Sequence, residues 1–177
     1  MIIKVILASF MLLCQTADGF YWEDLDTRAQ KAIINSRLTP ALVRDYYQAD
    51  KSLSDDSNGF ALLNELTSKP KSDDHLALYF YVFNTICMSA DGTIAESLGH
   101  YCLRMVQDQP SYVLSYLGNH SDLMARYASF IGYEFSMSEE YLDKYKSFEK
   151  KVLSSVNSDI SNSFLHLIKL TIDQAIQ

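Results

Sequence analysis

Breakers are scarce in this chain, which carries three prolines and six glycines among 177 residues. Such sparse punctuation excludes collagen-like and linker-like sequences and leaves room for long helices. Cysteine is nearly missing too, at three in the whole chain, so a small disulfide-stapled scaffold is excluded. Positive charge is in deficit, with 15 Lys and Arg against 22 Asp and Glu. An acidic chain gains no counterion-release energy on nucleic acid and is repelled by anionic lipid. Nucleic acid is therefore set aside as a partner, and a basic protein is favoured.

Catalytic signatures are lacking. The sequence has no G-x-S-x-G elbow, no H-E-x-x-H, no C-x-x-C and no phosphate-cradling glycine loop. Those absences remove the easily read enzyme classes and call for no cofactor or metal. Catalytic residues that converge only in space would leave no such trace, so none is assigned from the sequence.

Long apolar runs are also few, and no segment approaches the eighteen residues of a membrane-spanning helix. The nearest is at the amino terminus. Lys4, an apolar stretch from Val5 to Leu13, and a polar stretch ending Ala17-Asp18-Gly19 follow the order of a secretory signal peptide. Residues 1–19 are read as that leader, with cleavage before Phe20, and residues 20–177 as one exported domain, periplasmic or extracellular. Cys14 raises a lipid anchor as an alternative, but Leu13 is bulky where a small residue belongs before a lipidated cysteine.

What is present is helical patterning. Hydrophobic residues make up 48% of the chain and recur at helical spacing, enough to bury a core. The pattern predicts an all-α fold, a compact bundle or irregular stack of about eight helices. Helices are expected over Trp22–Arg37, from Thr39-Pro40 to Asp50, and over Phe60–Ser68 after a loop from Ser52 to Gly59. The next, Leu76–Met88, is apolar nearly all round and is expected at the centre. Its cap is assigned to Asp73 or Asp74. Gly92 is placed in a left-handed turn and Thr93 with Glu96 in a capping box, which makes a tight αα-hairpin. Helices from Thr93, Pro110, Asp122 and Ser138 follow, and a break is expected near Asn157 before the last. A 47-residue offset lays Leu76, Phe80 and Phe83 over Leu123, Tyr127 and Phe130, a spacing compatible with HEAT-like helix pairs.

Several residues could carry chemistry. Asp91-Gly92-Thr93-Ile94 resembles the middle of a calcium loop, but Cys87 and Ser89 stand where acidic ligands belong and Leu98 where a bidentate glutamate belongs. Glu96 and His100, four apart on one helix, are the least poor acid/base pair available, but an ordinary surface pair of modest helix-stabilising value is the better explanation. His75, His120 and His166 have no orienting carboxylate in local sequence. Cys87 and Cys102 are expected as buried free thiols, since antiparallel helices joined near Gly92 would offset them by roughly 9 Å. Gly99 and Gly132 inside helices point to close crossings. Tyr79, Tyr81, Tyr112, Tyr116, Tyr127 and Tyr133 suit the outer layer of a core and also an interface. Asn119-His120-Ser121 is an N-glycosylation sequon beside a turn.

The leading expectation is a protein-binding module, such as an inhibitor or immunity-type protein. A carrier with an apolar cavity lined by Leu76–Met88 and Phe130 is the alternative. A hydrolase built on Glu96 and His100 comes third.

Overall fold

The computed structural model describes residues 20–49, 57–68 and 72–176. The leader and Cys14 lie outside the described residues. Within these segments the protein is all-α, with no strand. A single 3-10 turn, Trp22–Asp24, precedes α1 (Thr27–Ile34), α2 (Ala41–Ala49), α3 (Ser57–Leu66), α4 (Asp73–Ser89), α5 (Gly92–Asp108), α6 (Pro110–Leu117), α7 (Ser121–Ser136), α8 (Tyr141–Leu153) and α9 (Ser158–Ala175). None of the described helices is long and apolar enough to cross a membrane.

Local chemistry accounts for most of the boundaries. Pro110 opens α6, where its missing N–H costs nothing. Asn157 caps α9 by accepting from the Asp159 N–H, which fixes the expected break. Four boundaries differ from the sequence reading. The expected Trp22–Arg37 helix is a 3-10 turn followed by α1, because Asp26 caps the Ala29 N–H and restarts the helix there. Ser72, not Asp73 or Asp74, caps α4 through its hydroxyl. α3 starts at Ser57, inside the expected loop, and α8 starts after Glu140 rather than Ser138. Gly92 does take the left-handed conformation, with φ at +53°. The Thr93/Glu96 box does not form: Asp91 is the cap residue and makes no side-chain bond.

α4 is buried on most sides, as its composition requires, with Leu78, Phe83 and Ile86 wholly enclosed. The closest backbone packing, however, centres on α7, which lies against α9 and α5 and also meets α4. Two glycines permit this. A Cβ on Gly99 of α5 would stand 2.5 Å from the Phe130 carbonyl oxygen. One on Gly132 of α7 would stand 2.9 Å from the carbonyl oxygen of Ile168 in α9. Both are the close crossings expected of glycine in a helix.

The α4–α5 hairpin has a short connection, but its arms do not pack backbone to backbone; α7 fills against both. Cys87 and Cys102 are free and buried, as expected, yet their sulfurs are 3.8 Å apart. The offset of roughly 9 Å argued from antiparallel rods therefore does not keep the two side chains apart. Arg126 of α7 then ties down the end of α4, donating to the carbonyl oxygens of Cys87, Met88 and Ala90. Those carbonyls lack partners within their own helix, so the guanidinium serves as a C-terminal cap.

Candidate functional site

One face of α4 carries Tyr81, Asn84, Thr85 and Met88, spaced as neighbours on a helical surface. Asn84 and Thr85 are the only strongly polar residues between Leu76 and Met88. This face forms one wall of a cleft of about 390 Å³. Glu23 of the 3-10 turn, Tyr116 of α6, and the α6–α7 turn with the first residues of α7 complete it.

The amino-terminal segment is held there by aromatic packing. Tyr21 contacts the Tyr112 and Tyr116 rings, each at 4.8 Å, and Trp22 is buried against Tyr47 and Tyr81. The Tyr112 hydroxyl donates to the Phe20 carbonyl, and the Tyr21 hydroxyl donates to the Tyr112 carbonyl. This reciprocal tie delivers Glu23 to the cleft, where its carboxylate accepts from the Tyr116 hydroxyl at 2.8 Å. Burial, and then the Glu23 carboxylate, push the Tyr116 phenol well above its ordinary value, so it stays a donor.

His120 stacks on Tyr116, ring centres 3.9 Å apart and planes 11° from parallel. Its Nδ1 is 2.8 Å from the Tyr116 carbonyl oxygen. A carbonyl only accepts, so Nδ1 holds the proton. No side chain caps α7, whose first residues, Ser121 to Leu123, line the cleft. Asn84 is 93% buried beside the cleft: its Oδ1 accepts from Tyr127, while its Nδ2 is closed to solvent and has no partner. A buried, unpaired amide is costly, on the order of 1–3 kcal/mol.

The residues singled out from the sequence mostly lie elsewhere. Glu96 and His100 are exposed on α5 and do not reach the cleft, and the His100 ring touches only its neighbour Tyr101 among aromatic groups. His75 is buried in the first turn of α4, with Ser72 on Nδ1 and no partner for Nε2. His166 is exposed on α9. Among the described residues no three His, Cys, Asp or Glu side chains converge as a metal site would need. The tyrosines serve mainly as core: Tyr79, Tyr112, Tyr116 and Tyr127 are buried, and Tyr133 is exposed. Of the sequence candidates, Tyr81, Tyr116 and the whole Asn119-His120-Ser121 triplet reach the cleft. Glu23 and Asn84 were missed; the signal available was a lone Asn-Thr pair in an otherwise apolar helix.

No family model, curated protein or solved structure matches this chain. The cleft has to be interpreted on its own chemistry.

Proposed function

We propose that residues 20–177 act after export as a protein-binding module, of the kind an inhibitor or immunity-type protein represents, rather than as an enzyme. The observation that carries this reading is an open, mixed polar and aromatic cleft with Met88, Glu23 and Asp122 exposed along it. Export is part of the proposal and rests on the leader-like order of residues 1–19. The acidic balance adds to it, since a net charge of −7 attracts a basic partner over long range.

No observation favours the carrier reading. The cleft meets α4 only through Tyr81, Asn84, Thr85 and Met88 and does not include Phe130, which lies under the Arg126 guanidinium. The test is capture from the exported fraction of the source cells, followed by native mass measurement of the complex. Met88→Arg, at the cleft, should abolish complex formation, whereas Leu170→Arg, exposed on α9, should leave it intact. A chain that forms no complex, or one indifferent to Met88→Arg, would defeat the proposal.

A further inference from the structure

Cys87 of α4 and Cys102 of α5 have no part in the cleft. They are the only cysteines of residues 20–177, and both are wholly buried. Although 15 positions apart in sequence, they place their sulfurs in direct contact at 3.8 Å. Metal binding does not account for the pair, because among the described residues no third ligand joins it. Close packing of the hairpin does not account for it either, since α4 and α5 meet mainly through α7.

From this contact we infer that Cys87 and Cys102 close as an intrachain disulfide when the chain folds in an oxidising compartment. Bonded sulfurs stand about 2.0 Å apart, so each sulfur has to move by about 1 Å, within the reach of side-chain rotation. The oxidant is a second disulfide, carried by a small thiol or by a protein. One cysteine thiolate attacks a sulfur of that disulfide, forming a mixed disulfide and releasing one thiolate. The other cysteine then displaces the remaining thiolate, and the S–S bond closes. Two thiols of the chain are thereby oxidised, the oxidant is reduced to two thiols, and the cysteine protons pass to the thiolates released.

Burial sets the order of events. Neither sulfur is exposed in the folded chain. Burial, and then the adjoining Cys87 thiol, hold the Cys102 thiol well above its ordinary value, which withholds the attacking thiolate. Exchange therefore belongs to the folding chain, before α7 packs against both helices. The closed bond would tie the end of α4, next to Met88 of the cleft, to α5. Proposed export supplies the oxidising compartment, and the partner-binding reading has no share in the argument.

The full chain is refolded from urea in a glutathione redox buffer, quenched in acid, alkylated and mapped by non-reducing peptide mass spectrometry, with circular dichroism to confirm the helices. The expected product has lost both core thiols, with the Cys87 and Cys102 peptides joined and Cys14 outside the bond. Its urea midpoint should lie above that of the same chain refolded in reductant, because the bond restricts the unfolded state. Cys102→Ala should give equal midpoints in the two buffers. Chain taken from the exported fraction and alkylated at lysis should show the same joined peptides. A helical chain with both thiols free, or with either bonded to glutathione or Cys14, overturns the pairing. A bridged chain no more stable than the reduced one overturns the fit of the bond to this fold, and rapid oxidation of the already folded chain overturns the order of events. A chain that joins its cysteines but forms no complex defeats the binding-module reading and leaves this inference standing; one that binds through Met88 with both thiols free does the reverse.

Discussion

Tyr127 and Asn84 illustrate how a single hydroxyl can hold a polar side chain inside an apolar helix packing. The Tyr127 hydroxyl, wholly buried, donates to Asn84 Oδ1 at 2.7 Å. Removing it in Tyr127→Phe leaves both ends of the amide unpaired and should cost about 1–3 kcal/mol in denaturant unfolding. Tyr116→Phe should cost less, because the exposed Glu23 carboxylate it releases can take water instead. Equal losses in the two variants would contradict the difference in burial. The phenols also set an alkaline limit. Burial raises Tyr79, Tyr112, Tyr116 and Tyr127 above the ordinary tyrosine value, and Glu65 and Glu23 carboxylates add to the shift at Tyr79 and Tyr116. The folded-state values exceed the unfolded ones, so the folded state prefers the protonated phenol. That stabilisation is intact below a pH of about 10 and is lost as pH rises from there toward the folded-state values. Unfolding free energy should therefore fall with alkali, and part of the tyrosinate absorbance should appear only as the protein unfolds. A single smooth titration of every tyrosine near the ordinary value, with the fold intact, would contradict this.

At the scale of helices, two glycines decide how near the rods come. In an isolated helix, glycine to alanine would gain roughly 1 kcal/mol. Here the added methyl at Gly99 would meet Phe130 backbone oxygen and Glu134 Cβ, and at Gly132 it would meet Thr171 and the Ile168 carbonyl. Backbone cannot step aside as a side-chain tip can, so α5 or α9 must move away from α7. Gly99→Ala and Gly132→Ala should each lower the urea midpoint, by about 1–3 kcal/mol in stability. Unchanged or raised midpoints would mean that the crossings are looser than described. The sequence made these two positions legible, since a helical glycine already signals close approach. It did not reveal which helices cross, because apolar helices match one another readily and only tertiary packing selects the pairs. The same limit applies to Cys87 and Cys102: free and buried as expected, they lie closer together than ideal rod geometry implies.

For the molecule as a whole, the proposed export is open to the most direct test. Fractionation with amino-terminal sequencing of the secreted chain should find Phe20 first; a retained Met1, or a cytoplasmic chain, would remove the leader from the account. The fold was largely readable because helix formation is local: apolar spacing, Pro110, Gly92 and Asn157 act on residues a turn or two away. Cap residues were less readable, since Ser72, Asp73 and Asp74 are all good caps and only the backbone path chooses between them. The candidate site was barely readable. Glu23, Asn84 and the Tyr116–Asp122 stretch are far apart along the chain, and Glu23, Asn84, Tyr116 and Asp122 belong to no motif.

The sequence by itself determined that the chain is helical, where most helices stop, and that one of them must be buried. Tertiary structure alone decided that α7 is the packing centre, that the two thiols touch, and that Glu23, Asn84 and Asp122 share one cleft. The division follows from the range of the forces. Periodicity and capping are settled within a few residues, whereas pairing a carboxylate at position 23 with an amide at position 84 requires the whole core to be packed first.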